Sequence, residues 1–280
     1  MKKIITIILA AILLLCAVGC KKGSSKKLTV AMSPDFAPME FVDTSKTGQE
    51  QYVGFDVTLA NYLAKELGME LEIKPMSFDA CMTAVQLGSV DMAISGFSWK
   101  PDRAENFLLS DYYIAGDNET QQSVITVKAK ENTCKTQADF SGWKVGAQAS
   151  ALQEQLVKDE LIPAGAELVV YKSIDDAVLA LQTGKIDALA VAHGNGEAII
   201  ANNPDLAFTG FDFDVDPKYE NNVILLNKTN TKMLEKVNAV LAKAMAANLY
   251  DGWYEDAKAL AGISTATEVS YNDDGTAPSN

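Results

Sequence analysis

Hydrophobic and polar positions follow the same order twice along this chain. Between residues 70 and 95, alternating apolar positions predict a strand, helical spacing predicts a helix that ends at a glycine, and a short apolar run predicts a second strand. The same order returns between residues 166 and 191, at a constant offset of 96 positions. The corresponding pairs are Ser77 and Ser173, Asp79 and Asp175, Gly88 and Gly184, and Asp91 and Asp187. Because strand, helix and strand in this order are typical of parallel sheets, the pattern predicts two lobes of one design.

The remaining pattern assigns the rest of the chain to these two lobes. Polar segments at 116–122 and 211–222 predict two hinge crossings, and alternating apolar and acidic residues at 211–216 predict an exposed ribbon in the second crossing. The fold class is therefore α/β, with each lobe a mostly parallel sheet flanked by helices. The predicted units are lobe 1 at 28–117 and 221–263, lobe 2 with the hinge segments at 118–220, and a flexible tail at 264–280.

Both copies of the repeat lead into the same region of the molecule. Ligands of open parallel sheets bind beyond the carboxyl ends of the strands. Residues 96–98 follow the last strand of the first copy, and residues 192–194 follow the last strand of the second. We therefore expect a ligand-binding cleft between the lobes.

The N-terminal segment predicts export. Two lysines precede an uncharged apolar run at 4–18, which is too short for a stable membrane span and is typical of a signal peptide at 1–19. Cys20 follows small residues and precedes a polar tether that ends at residue 27, an arrangement that resembles a bacterial lipoprotein processing site. We expect lipidation of Cys20 and an anchor at the extracytoplasmic face of the cell membrane. The alternative is an ordinary cleaved signal with a chance cysteine.

Charge and composition weigh against a nucleic-acid partner. The chain carries 37 acidic and 24 basic residues, with a formal net charge of −13, and such a chain repels phosphates. Cys81 and Cys134 are too few for a disulfide framework, so we expect both to be unpaired. We expect neither a metal site nor a cofactor.

Six short motifs carry a family resemblance that extends over nearly all of residues 28–262. They are SPDFAPMEF at 33–41, GFDV at 54–57, GSVD at 88–91, GFSWKPDR at 96–103, SDYY at 110–113 and GKIDA at 184–188. Together they resemble the extracellular solute-binding proteins of the polar amino-acid class, which serve ABC importers and have the type II periplasmic-binding fold. The resemblance implies a monomer that binds a small amino acid or related carboxylate between its lobes and delivers it to the membrane subunits of a permease.

The resemblance also implies roles for residues of the first lobe. Arg103 takes the position of the arginine that clamps the α-carboxylate of the ligand, because a guanidinium offers two parallel donors. Ser98 would add its backbone amide and hydroxyl to the same carboxylate, and the Gly96 carbonyl would face the ammonium. Phe36 and Phe78 match positions that sandwich the ligand. The alternatives are a surface ion pair for Arg103 and plain core packing for the two phenylalanines.

Two places in the second lobe depart from the family pattern. Ala192 stands where family members usually have an aspartate that takes the ligand ammonium, and His193 follows it. The loop that usually carries glycine and then a hydroxyl residue is 148–152 here, where Ala151 keeps only its amide donor and Ser150 is available to compensate. We expect these residues to line the cleft, and His193 either makes recognition depend on pH or has a structural role.

The missing aspartate leaves the ligand ammonium without its usual partner. Because an uncompensated ammonium is costly in a closed cleft, either another carboxylate reaches in or the ligand is not an ordinary α-amino acid. The sequence favours the first explanation. The candidate carboxylates are Glu40, Asp35, Glu119 and Glu197.

An enzyme is an alternative function, because dehydratases and lyases resemble this fold. Glu40 and His193 are conceivable acid–base groups. However, the sequence contains no G-x-S-x-G motif, no pair of histidines for zinc and no glycine-rich phosphate loop. We therefore expect a transport protein without catalytic residues. A receptor for a solute other than an amino acid is the further alternative.

Overall fold

The computed structural model describes residues 26–113, 121–216, 219 and 221–263. Within these ranges the chain forms two five-stranded sheets and one three-stranded sheet, with helices packed around them. Several sequence predictions lie outside the described residues. They concern the signal peptide at 1–19, Cys20 and most of the tether, Glu119, the lobe boundary at 117, and the tail at 264–280.

Short strands and helices alternate along most of the described chain. The strands are β1 (Lys27–Met32), β2 (Asp35–Phe36), β3 (Glu40–Val42), β4 (Tyr52–Val53), β5 (Glu70–Pro75), β6 (Met92–Ala93), β7 (Leu108–Leu109), β8 (Gln122–Val127), β9 (Lys144–Gln148), β10 (Glu167–Tyr171), β11 (Ala188–Ala192), β12 (Leu206–Asp212) and β13 (Leu225–Leu226). The helices are α1 (Phe55–Glu66), α2 (Phe78–Gln86), α3 (Pro101–Asn106), α4 (Leu152–Leu156), α5 (Ile174–Gln182), α6 (His193–Asn202), α7 (Thr231–Ala246) and α8 (Tyr250–Leu260). Helix α4 continues as a π-helical turn at Val157–Leu161. In the described part of the chain no helix is both long and apolar enough to cross a membrane.

One strand in each large sheet runs against the other four. The first sheet has the order β5-β1-β6-β13-β7, in which β1 is parallel to β5 and β6 and β13 is antiparallel to its neighbours. The second has the order β10-β9-β11-β8-β12, in which β9 is parallel to β10 and β11 and β8 is antiparallel to its neighbours. The antiparallel strand is the first one that the chain forms after it leaves the other sheet. This topology confirms two mostly parallel lobes joined by two crossings.

The sequence repeat is confirmed as a structural repeat. Helices α2 and α5 have nine residues each, and each is followed by a glycine with positive φ, +67° at Gly88 and +69° at Gly184. Such a conformation ends a helix at little cost only when the residue lacks a Cβ. Three positions later, Asp91 accepts a backbone amide of β1 at 2.8 Å, and Asp187 accepts a backbone amide of β9 at 3.0 Å. Each aspartate therefore fastens the end of its repeat to the neighbouring strand.

The second crossing differs from its prediction. Strand β12 extends to Asp212 and pairs with β8. The prediction of an exposed ribbon at 211–216 is therefore wrong for the first part of that segment. Phe211 and Phe213 are buried, and their rings pack edge to face at 5.2 Å between centroids. Phe211 also lies 5.2 Å from the ring of Phe140. The strand ends at Asp212, within the alternating segment, and the core of lobe 2 covers the two phenylalanines of that segment.

Gly54 allows a very close approach between two segments of lobe 1. The amides of Phe55 and Asp56, which begin α1, donate to the carbonyls of Pro38 and Met39 at 3.1 and 2.8 Å. Gly54 has φ +120°, and a Cβ there would lie against the Met39 carbonyl and 2.7 Å from the Pro38 oxygen. This approach brings the start of β3 beside the N-terminus of α1.

We expect Gly54→Ala to lower the free energy of unfolding by about 3 kcal/mol or more, because the methyl group adds a steric clash to an unfavourable backbone conformation. Gly88→Ala is the matched control, since Gly88 also has positive φ but nothing lies within 4 Å of a Cβ placed there. Only the conformational cost of roughly 1–2 kcal/mol then applies. Urea denaturation of the two variants measures the difference, and equal losses would contradict the steric argument.

Candidate ligand-binding cleft

A cavity lies between the two lobes, at the carboxyl ends of the repeat strands. It is narrow, with a cavity volume of about 30 Å³. Seven of the nine residues predicted for the site line it: Phe36, Phe78, Gly96, Ser98, Arg103, Ala151 and Ala192. The other two, Ser150 and His193, lie outside its lining.

Arg103 is a buried cation without a carboxylate partner in the described part of the chain. Its side chain, on α3, is 2% exposed, and burial lowers its pKa to about 10. Nη1 donates to the Ser98 carbonyl at 2.5 Å, and Nη2 donates to the Ser150 carbonyl of lobe 2 at 3.0 Å. The guanidinium also lies 5.5 and 5.3 Å from the ring centroids of Phe78 and Phe97. The surface ion pair considered from the sequence is not formed, and Asp102 acts on the guanidinium only through space and does not pair with it.

Gly96 and Phe36 form the lobe 1 wall next to this arginine. Gly96 has φ +55°, and a Cβ there would lie 2.7 Å from the Phe36 ring. Its amide donates to Oδ2 of Asp56 at 2.7 Å. The glycine therefore lets the aromatic ring reach the loop that leads to Ser98.

Two buried carboxyl groups lie next to the cleft without a nearby cation. Glu40 and Asp56 are both 0% exposed, and burial raises the pKa of Glu40 well above its usual range and that of Asp56 to about 7. Asp56 accepts from the Gly96 amide and from the Tyr113 hydroxyl at 3.1 Å, whereas Glu40 accepts from the Ser95 hydroxyl. Glu40 Oε2 and Asp56 Oδ1 have no other partner among the described residues, and the two acids interact directly. Because the pKa of Asp56 is about 7, the pair retains one proton above that pH, and this proton resides on Glu40 because Asp56 accepts more hydrogen bonds.

Asp35 joins the two lobes across the cleft. Its carboxylate accepts from the Ser33 hydroxyl at 2.8 Å within lobe 1. From lobe 2 it accepts from the Ile174 amide at 2.8 Å and from Gln148 Nε2 at 3.2 Å. Ile174 begins α5, where the helix dipole favours a negative charge. The structure is thus a closed arrangement in which Asp35 contacts the end of a lobe 2 helix.

The lobe 2 residues at which the sequence departs from the family pattern do not all face the cavity. Ala192 pairs with Gln122 across the sheet and presents only a methyl group to the cavity. Ser150 has φ +65° and contributes its carbonyl to Arg103. His193 stacks on Phe208 at 4.4 Å between ring centroids.

His193 belongs to a hydrogen-bonded group beside the cavity. Its Nδ1 lies 2.8 Å from the Ser123 hydroxyl, which donates to Asp212 Oδ1 at 2.6 Å. Its Nε2 lies 3.9 Å from Glu197. The hydroxyl proton is directed to Asp212, so Nδ1 of His193 carries a proton and donates to Ser123.

Sequence reasoning missed the amide side chains of the cleft. These are Gln122, Gln148, Gln153, Asn195 and Asn222. No motif marks such residues. However, Gln148 ends β9 and Asn195 lies shortly after β11, so the rule that ligands bind beyond the carboxyl ends of parallel strands pointed to both. Asn195 donates from Nδ2 to the Ala37 carbonyl of lobe 1 at 2.8 Å.

The chain is similar in sequence and structure to known proteins. Residues 28–256 match the family described as bacterial extracellular solute-binding proteins, family 3. The arginine-binding extracellular protein ArtP of Bacillus subtilis (strain 168) is 29% identical over 212 residues, which are 74% of this chain and 79% of that protein. A probable histidine-binding protein of Campylobacter jejuni is 28% identical over 249 residues, which are 81% of this chain and 92% of that protein.

Solved structures agree with these relatives. The substrate-binding protein AbpA of Streptococcus pneumoniae, bound to L-arginine, has a TM-score of 0.76 and 33% identity. The match covers 85% of this chain and 97% of that protein. These comparisons confirm the family resemblance and the type II periplasmic-binding fold predicted from the sequence.

We expect Glu40→Gln to raise the free energy of unfolding at pH 8 by on the order of 1–3 kcal/mol. Carboxyl groups with raised pKa values hold protons in the folded state that the unfolded state has released. Stability therefore falls as pH rises from about 4 to about 7, where Asp56 ionises, and it continues to fall above pH 7 because the folded protein still holds the proton of Glu40. Glutamine can donate to Asp56 without this penalty, and it can still accept from Ser95. Urea denaturation of the ligand-free protein from pH 5 to 8 tests this, with exposed Glu50→Gln as control. An unchanged pH slope in Glu40→Gln would rule out the shared proton.

Proposed function

The chain belongs to the bacterial extracellular solute-binding proteins, family 3, and we propose that it delivers a cationic α-amino acid to the permease of an ABC importer. Members of this family act outside the cytoplasm and bind solutes. Arginine is the first candidate ligand, because relatives described above are named for arginine and histidine. The choice of a cationic amino acid rests on the charges of the cleft.

The single observation that carries this proposal is the buried guanidinium of Arg103. Removing a charged group from water costs several kcal/mol unless an opposite charge compensates it. Carbonyl oxygens and aromatic faces surround Arg103, but no carboxylate of the described residues reaches it. The α-carboxylate of an amino acid supplies the missing anion, with the bidentate geometry that a guanidinium favours.

The other charges beside the cleft favour a ligand with a net positive charge. Asp35 is a carboxylate whose hydrogen bonds oppose the rise in its pKa that burial causes. The Glu40–Asp56 pair contributes a second negative charge once Asp56 ionises, at a pKa of about 7. Two negative charges therefore face the single positive charge of Arg103. A ligand with two positive groups and one carboxylate makes the closed cleft neutral, which supports arginine over a neutral amino acid.

Closure follows from contacts that involve both lobes. A ligand that touches both lobes binds the closed state better than the open one, and this difference in affinity shifts the population to the closed state. Arg103 already bonds a lobe 2 carbonyl, and Asp35 bonds a lobe 2 amide, so both ligand-facing charges contribute to closure. The closed form is then the one that the permease recognises.

We expect the purified protein, freed of carried ligand by unfolding and refolding, to bind L-arginine with micromolar affinity or tighter. Arg103→Ala should weaken this binding by about 3 kcal/mol, or roughly a hundredfold, because the charge-assisted bonds to the carboxylate are lost. Arg103→Lys should give an intermediate loss, since lysine keeps the charge but not the planar fork. Isothermal titration calorimetry measures all three affinities.

Lys100→Ala is the matched control for this experiment. Lys100 directly precedes helix α3, which carries Arg103, but it does not line the cavity, so its variant should bind nearly like the unaltered protein. A panel of common amino acids and simple carboxylates completes the test. Binding of a neutral amino acid in preference to arginine would contradict the charge argument, and unchanged affinity in Arg103→Ala would remove this residue from the site.

We further propose that Cys20 carries a lipid that anchors the protein to the outer face of the cell membrane. Cys20→Ser should move the protein from the membrane fraction to the soluble fraction, because a lipid chain attached there would be the anchor. Cys16→Ser is the control, since Cys16 lies within the apolar run and should not alter the distribution. Cell fractionation with metabolic labelling by a radioactive fatty acid measures both effects. Persistent labelling of Cys20→Ser would refute the assignment.

A further inference from the structure

Four buried side-chain atoms have no hydrogen-bond partner among the described residues: Glu40 Oε2, Asp56 Oδ1, Arg103 Nε and Asn195 Oδ1. The first two explain each other, because the two acids share a proton. The other two are one donor and one acceptor, and both belong to residues that line the cleft. A buried polar group without a partner is costly, so each of them calls for an explanation.

The orientation of the Asn195 amide is determined by lobe 1. Asn195 is 1% exposed and lies in the first turn of α6. Its neighbour across the cleft is the Ala37 carbonyl, 2.8 Å away, which can only accept a hydrogen bond. The NH₂ group must therefore face Ala37, and the free atom must be the carbonyl oxygen. The closed cleft thus contains an acceptor in a fixed position.

The carboxylates considered from the sequence are poorly suited to take the ligand ammonium. Burial beside Asp56 raises the pKa of Glu40 well above its usual range, which disfavours its charged form, and Glu40 already accepts from the Ser95 hydroxyl. Asp35 already accepts from three donors, the Ser33 hydroxyl at 2.8 Å, the Ile174 amide at 2.8 Å and Gln148 Nε2 at 3.2 Å. Glu197 faces His193 rather than the cavity, and Glu119 lies outside the described residues. Asn195 Oδ1, by contrast, is a buried acceptor of a lining residue and has no bond among the described residues.

We propose that Asn195 Oδ1 accepts an N–H of the α-ammonium of the ligand and so replaces the aspartate that is missing at Ala192. This inference rests on the proposed function, because it requires an α-amino acid in the cleft. A neutral acceptor makes a weaker bond to an ammonium than a carboxylate does, and it can also accept from an uncharged donor. Asn195 is therefore a specificity-determining residue that sets a modest preference for the α-amino group. The same amide also bonds Ala37, so recognition and closure depend on one side chain.

A pair of ligands separates these two roles of Asn195. L-arginine and 5-guanidinopentanoate differ only in the α-amino group, so the ratio of their affinities measures its contribution. In Asn195→Ala this ratio should fall about tenfold towards one, because the bond to the ammonium is lost. Loss of the bond to Ala37 weakens closure around both ligands equally and leaves the ratio unchanged. Titration calorimetry of each protein with each ligand gives the ratio.

Asn195→Asp is the second variant and has nearly the same shape. A carboxylate loses the donor to Ala37 but offers a full negative charge to the ammonium, so the ratio should rise above that of the unaltered protein. Asn202→Ala is the matched control, because Asn202 ends the same helix and bonds the Ala198 and Ala261 carbonyls away from the cavity. Its ratio should equal that of the unaltered protein.

The outcomes distinguish this inference from the function on which it rests. An unaltered protein that binds neither compound overturns both. An unaltered protein that binds arginine, together with variants of Asn195 whose ratio does not change, leaves the proposed function standing and overturns the role of Asn195. A lower affinity ratio in Asn195→Ala together with a higher affinity ratio in Asn195→Asp supports the role of Asn195.

Discussion

The charge of Arg103, removed from water and left without a counter-ion in the described protein, determines the organisation of the cleft. Carbonyl oxygens from both lobes accept its two Nη groups, and two phenylalanine rings cover its plane. These contacts fix the orientation of the guanidinium but do not neutralise it, because carbonyl dipoles and ring faces carry no full charge. The site is therefore complete only when a solute brings an anion to it. Under the proposed function, selectivity for carboxylates follows from this missing counter-ion rather than from a large complementary surface.

The acids near the cleft show how the protein limits its own negative charge. Asp35 is held by donors from both lobes, and Glu40 with Asp56 retains a proton between them. Three acidic side chains thus contribute two negative charges, because desolvation and repulsion disfavour a third negative charge in this buried space. The Tyr113 hydroxyl and the Gly96 amide make Asp56 the better acceptor of the pair. Local hydrogen bonding, and not the number of acidic residues, decides the electrostatic character of the site.

The sequence predicted the fold better than it predicted the site, for physical reasons. Strand, helix and glycine stop are local patterns, so the repeat ending at Asp91 and Asp187 was visible before any contact was known. Arg103 was found through motifs that surround it on one loop. The amides of Gln148 and Asn195 carry no such pattern, because their importance arises only when one lobe closes on the other. The burial of Phe211 was likewise a property of tertiary packing, which alternation alone does not reveal.

The position of β13 has a consequence for how the chain reaches its folded state. This strand lies between β6 and β7 in the first sheet, although more than a hundred residues separate it from either along the chain. All strands of the second sheet, by contrast, come from one uninterrupted stretch between Gln122 and Asp212. Lobe 2 can therefore assemble from contiguous sequence, whereas lobe 1 must wait with an open edge at β6 until the C-terminal part arrives. A chain interrupted before Leu225 would keep that edge unpaired, and unpaired strand edges are where aggregation begins.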